Sequence, residues 1–144
     1  MALDYPGDWT RTTATSTSSH VLNSTSSWTT HLTTSTFTTG CIGPVHAFVN
    51  LVHGYESGAV NVVGELLLDD GSTSTRQQLF CQGVGGNKAF GSHNMAWTWH
   101  NVSAGSHHVE LRIINKSSGT TGRTHYFHTG DTTVPDILIV NYMA

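Results

Sequence analysis

From His107 to Asn115 the side chains alternate without interruption. His107, Val109, Leu111 and Ile113 fall on one side; His108, Glu110 and Arg112 fall on the other. A period of two is that of a strand, whose successive side chains leave opposite faces, and not that of a helix. The same pattern recurs along the chain. Val45, Ala47, Val49 and Leu51 share one face of Val45–His53, and Val60, Val62, Leu66 and Leu68 share one face of Val60–Leu68, with Gly64 between them. Met95, Trp97 and Trp99 line one face of a further strand, and Gln77–Cys81 and Arg123–His128 are short strands. Turn residues close these runs: Asp69-Asp70-Gly71 is a tight turn, and Gly83–Gly86 is a flexible loop. Asp136–Met143 is apolar on both faces, so it is either central in a sheet or pressed against another subunit. The expectation is an all-β chain, an antiparallel β-sandwich or jelly roll of about eight strands.

The N-terminal part lacks this alternation. Roughly two-thirds of residues 10–39 are Ser or Thr, as in a disordered low-complexity tail. Val21, Trp28, Leu32 and Phe37 recur within it, however, as they would in a strand that exposes Thr and buries an occasional large residue. The expected division is therefore a short N-terminal arm over 1–20 and a jelly-roll domain over 21–144. At 144 residues the chain has room for one domain with a core.

Charge limits the function. Asp, Glu, Lys and Arg make up 10% of the chain, with six Lys and Arg and a formal net charge of −3. A nucleic-acid groove needs clustered cations, so no nucleic acid is expected as a partner. A polybasic membrane patch is excluded on the same ground, and no apolar run approaches a membrane span. A surface this poor in charge fits a protein partly covered by neighbours. Residues 1–11 carry neither a basic start nor an apolar run, so synthesis in a cytoplasm without a signal peptide is expected.

No constellation with catalytic spacing stands out, and the chain is read as a non-enzyme without cofactors. The sequence holds ten His. His107-His108, His125/His128 and His93/His100 all have odd offsets, which put the members of each pair on opposite faces of an unbroken strand. No metal is expected unless a site forms across strands. Asp69 and Asp70 are read as turn residues, not as paired carboxylates or calcium ligands. Cys41 and Cys81 are read as two thiols rather than a disulfide, for want of a secretion signal. Trp97 and Trp99 share a face, so both are core or both are exposed. Core is the commoner outcome, and a glycan or receptor contact is the alternative.

Three segments resemble a known group: WTTHLTTSTFTT at 28–39, GELLLDDG at 64–71, and AGSHHVELR at 104–112 followed by SSGTTG at 117–122. Together they are similar to the small jelly-roll modules of bacteriophage virion proteins, with an architecture like that of tumour necrosis factor heads. The resemblance implies a virion structural protein, usually a homotrimer. The expected form is a capsid decoration (cement) protein that binds the major capsid protein or other virion proteins. The alternative is a receptor- or glycan-binding head of a tail or capsid fibre. The expected contact residues are Leu3, Tyr5 and Trp9 on the arm and Ile137, Ile139 and Tyr142 on the last strand.

Overall fold

The structure, a computed structural model, describes residues 8–17, 26–55, 60–73, 77–82, 89–116, 125–127 and 135–144. Among them the chain is all-β and antiparallel. The strands run β1 (Trp9–Ser16), β2 (Thr29–Thr33), β3 (Phe37–Thr39), β4 (Gly43–Tyr55), β5 (Val60–Leu68), β6 (Ser72–Thr73), β7 (Gln77–Gln82), β8 (Ala89–Val102), β9 (Gly105–His107), β10 (Val109–Asn115), β11 (His125–Phe127) and β12 (Asp136–Met143). Eight of these have five or more residues, and the other four are short segments of two or three.

They form two five-stranded sheets and a small β3–β9 ladder. In the first sheet β12 lies between β1 and β4, β8 covers the other edge of β4, and β11 continues beside β4. In the second, β10 lies between β2 and β5, with β6 and β7 on the far edge of β5. The core fills the space between the sheets. Val45, Ala47, Val49 and Leu51 of β4 meet Val62, Leu66 and Leu68 of β5, Val109, Leu111 and Ile113 of β10, and Leu138 and Val140 of β12. Burying one such Val, Leu or Ile stabilises the fold by roughly 1.5–3 kcal/mol before entropy is charged against it. The alternation in the sequence thus becomes the inner faces of a sandwich.

The last strand is central in its sheet, which accounts for its two apolar faces. Asp136, Leu138, Val140 and Tyr142 are buried, and the residues between them are half-buried. At its start the carboxylate of Asp136 accepts a hydrogen bond of 2.6 Å from His31 Nε2 on β2, and both side chains are fully buried. A polar clasp therefore joins the two sheets inside the sandwich.

Two expectations are corrected. Trp9–Ser16, placed in the arm over 1–20, is a strand paired with β12 from Trp9↔Met143 to Ser16↔Asp136. Neither of its faces is apolar enough to show a period of two, but β12 supplies the partner for its backbone. The uninterrupted strand over His107–Asn115 is in fact two. β9 pairs with β3, and β10 pairs with β2 and β5, with the break at His108. The start of a strand near Val21, the Gly83–Gly86 loop and the 117–122 turn lie outside the described residues.

Candidate assembly face and corner cluster

Strand register lays the outward side chains of the first sheet in rows. Arg11, Asn141, His46 and Thr98 form one row across β1, β12, β4 and β8. Thr13, Ile139, Phe48 and Ala96 form the next, and Thr15, Ile137, Asn50 and Asn94 the third. Trp9 stands at the head of β1, 56% exposed, with its ring stacked on His46 at 5.2 Å between centroids. Phe48 is 48% exposed at the middle of the face. His46 Nδ1 and Thr98 Oγ1 lie 2.8 Å apart as a cross-strand hydrogen bond. Among the residues in these rows Arg11 alone carries a formal charge.

Two shallow hollows meet at Phe48. One, of about 560 Å³, is lined by Phe48, Asn50, Asn94, Ala96, Ile137 and Ile139 above the core residues Val49 and Met95. The other, of about 650 Å³, is lined by Trp9, Thr10, Arg11, His46, Phe48 and Asn141. Apolar side chains set among amides and hydroxyls, without repelling charges, are what a contact surface requires.

The structure brings together Trp9, Ile137 and Ile139 from the sequence-based contact set and adds Phe48, which was not singled out. Tyr142 is corrected: it alternates inward, is 8% exposed, and stacks on Phe37 at 4.5 Å. Leu3 and Tyr5 lie outside the described residues. The alternative of a Trp97–Trp99 glycan platform is also corrected. Trp99 is 8% exposed and donates its indole N–H to the Ser72 carbonyl at 3.0 Å, and Trp97 packs against the core. Facing inward from β8, the two rings fill the sandwich.

A second, chemically different region lies where the β5–β6 turn meets the β9–β10 break. Asp69 and Asp70 both have positive φ, 52° and 59°, and Gly71 N–H donates to Leu68 O at 3.2 Å. Two left-handed central residues define a type I′ turn, a conformation that Asp tolerates better than most non-glycine residues. Asp69 anchors the turn. Its Oδ1 accepts from His108 N–H at 3.0 Å, and its own N–H donates to His108 O at 3.1 Å. Its Oδ2 accepts from His107 Nδ1 at 2.6 Å. These bonds explain the break in the strand, because the backbone of His108 pairs with the turn and not with a ladder neighbour.

His107 Nε2 faces the Ser103 carbonyl at 2.9 Å. Both ring nitrogens therefore meet acceptors, an arrangement that only the imidazolium satisfies. Burial by itself would lower the group, but the Asp69 and Ser103 hydrogen bonds and the Asp69 charge outweigh it and raise the group above 6.5. Gly105, at φ 144°, makes the turn into β9 in a conformation that glycine alone adopts readily. Beyond Asp69, Asp70, His108 and Glu110 bring their ligand atoms within 4.8 Å of one another. The even spacing of His108 and Glu110 is visible in the sequence, but the acidic turn that faces them is brought there only by the fold.

Cys41 is half-buried between β3 and β4. The side chain of Cys81, on β7, lies outside the described residues.

Compared with known sequences, the chain matches no protein family and no curated protein. Among solved structures it is similar to a chain of infectious bursal disease virus, Gx strain, with TM-score 0.50 and 12% identity over 99% of this chain and 41% of that one. It also matches the Gt strain of the same virus, with TM-score 0.48 and 14% identity over 100% of this chain and 40% of that one. The VP2 subviral particle of infectious bursal disease virus matches with TM-score 0.45 and 16% identity over 100% and 41% of the respective chains. The chain thus spans about two-fifths of the solved chains it resembles. At such identity the likeness to the Gx strain is one of fold.

Proposed function

We propose that the chain is a non-enzymatic structural component of a virus particle, and that the outer face of the first sheet is its assembly surface. The observation that carries this reading is the face itself, where Trp9, Phe48, Ile137 and Ile139 lie among Asn and Thr side chains with Arg11 as the one formal charge. Aromatic side chains, Trp above all, are over-represented among the residues that dominate binding energy at protein interfaces. The fold shared with the Gx strain virus structure supports the same reading.

Within that class the chain acts as a bacteriophage capsid decoration protein. It is a homotrimer seated on the shell formed by the major capsid protein, with Leu3 and Tyr5 extending the contact that begins at Trp9. Association rests on apolar area and neutral hydrogen bonds, so it varies little with salt. The test is co-sedimentation with bare shells, together with solution mass by light scattering. A stable trimer that saturates the shells in fixed ratio, and a Phe48→Glu variant that no longer co-sediments, are expected. Monomeric protein, or unchanged sedimentation of the variant, overturns the reading.

One observation favours a receptor- or glycan-binding head as the second reading. The exposed Trp9 ring beside His46, Arg11 and Asn141 offers a stacking surface with polar groups at its rim. Binding to host-surface glycans that is lost in Trp9→Ala, without any binding to shells, would select it.

A further inference from the structure

We propose that Asp70, His108 and Glu110 bind one divalent transition-metal ion of the Zn²⁺ type. The three side chains come from separate places in the chain: the β5–β6 turn, the β9–β10 break and the start of β10. Their ligand atoms nevertheless converge within 4.8 Å. His108 Nε2 and Asp70 Oδ1 are 3.3 Å apart. Two ligands on a tetrahedral ion with bonds of about 2.0–2.1 Å stand about 3.4 Å apart, so this pair already has the required separation.

The surroundings of His108 point the same way. While Nε2 faces Asp70, Nδ1 lies 3.6 Å from Asp69 Oδ1. At 3.6 Å that carboxylate is a neighbour of the ring and not a hydrogen-bond partner; Asp69 positions His108 through its backbone N–H at 3.0 Å. Asp69 is held in turn by His107 and by the backbone of His108, so the turn and the β9–β10 break are tied together at the ligand-bearing corner. Among the described residues the ion-pair partner of Asp70 is His108 itself, at 3.3 Å, so imidazole and carboxylate already face each other across the position an ion would take.

The donor set selects the ion. Calcium and magnesium sites are built from oxygen, whereas an imidazole with two carboxylates suits zinc and its first-row neighbours. Three protein ligands leave a fourth position for water or for a group from a neighbouring molecule. The site lies away from the Trp9–Phe48 face and does not depend on the function proposed for that face.

The experiment is calorimetric titration of the full chain with Zn²⁺, with Co²⁺ as a spectroscopic stand-in. One equivalent should bind in the micromolar range or tighter, and Co²⁺ should give visible bands of a four-coordinate site. His108→Asn and Glu110→Gln should each weaken binding by at least about 100-fold, while His100→Gln, at an exposed position on β8, should leave it unchanged. Asp69→Asn should weaken binding about 10–100-fold, as expected for a residue that orients a ligand. Circular dichroism checks that each variant is folded, and Asp70→Asn, at an exposed turn position, gives a further ligand test if one is not. Zn²⁺ binding that survives in folded His108→Asn and Glu110→Gln would place the ion on other histidines and overturn the proposal. So would a wild-type chain that binds no Zn²⁺, or that binds Ca²⁺ as tightly.

Discussion

On the outer face of the first sheet, neighbouring side chains meet through rings, methyl groups, amides and hydroxyls. At the β5–β6 corner almost every contact involves a carboxylate or an imidazole. Both regions sit on the same β-scaffold and differ in what they can do. The face offers area without long-range charge, so it suits a broad partner and tolerates salt. The corner offers few atoms with strong directional bonds, so it holds one geometry and suits a small ion. The chain thus keeps its exposed apolar area apart from its concentrated charge, and places the charge where it also fixes the chain path.

The comparison can be broken by variants that affect the wrong property. The largest effect should come from the buried His31–Asp136 clasp, which follows the corner's chemistry inside the core. Asp136→Ala should lower unfolding free energy by about 3–5 kcal/mol, because it leaves His31 buried without the carboxylate. Urea denaturation measures it, and a loss below about 1 kcal/mol would show that the clasp contributes little. Next, Phe48→Glu on the open face should reduce assembly by at least about 30-fold, equivalent to about 2 kcal/mol, while costing the isolated chain less than about 1 kcal/mol. Equal losses of stability and assembly would mean that Phe48 is a folding residue.

A smaller effect is expected at the corner. Asp69→Asn should cost about 1–3 kcal/mol near neutral pH by weakening the bond to His107. It should also remove a pH slope. The folded value of His107 is raised above 6.5, so its contribution is complete below 6.5 and fades as pH climbs through the folded value. His93 acts in the opposite sense: burial lowers it, so its effect is a loss of stability as pH falls below 6.5. Denaturation from pH 5 to 9 with a chelator present should show the alkaline limb flattened in Asp69→Asn and the acid limb kept. An unchanged alkaline limb would mean that His107 does not carry it. The smallest effect is a gain. Asp70→Gly creates the residue pair that type I′ turns favour and should stabilise the chain by about 0.5 kcal/mol while abolishing Zn²⁺ binding. A destabilised variant would show that the Asp70 side chain supports the turn in its own right.

The sequence made the sandwich legible wherever one face of a strand is apolar. Val60–Leu68, apolar along one face, and Asp136–Met143, apolar on both, keep in the structure the bounds read from the sequence. β1 was missed because Thr10, Thr12, Ala14 and Ser16 on one side differ little in polarity from Thr13 and Thr15 on the other. Its place is set by backbone pairing with β12, which no local pattern reports. Phe48 was visible as the odd residue out in its strand, but its importance depends on register, which sets it beside Ile139 and Ala96. The corner cluster needs the turn to fold onto the β9–β10 break, and sequence spacing does not encode that contact.

The two-faced β12 has a consequence for alignment during folding. A slip of one residue would exchange Leu138, Val140 and Tyr142 for Ile137, Ile139 and Met143 on the inner side, with Asn141 among them. Hydrophobicity barely separates the two arrangements. Asp136 does separate them, since a slip turns its carboxylate to the outer face and leaves the buried His31 without it. The buried clasp is thus expected to act as a register pin, a role separate from the stability it gives the correct pairing. NMR contacts between Thr13 and Ile139 should be uniform in the native chain and divided between two registers in His31→Leu, and a single register in that variant would refute the pin.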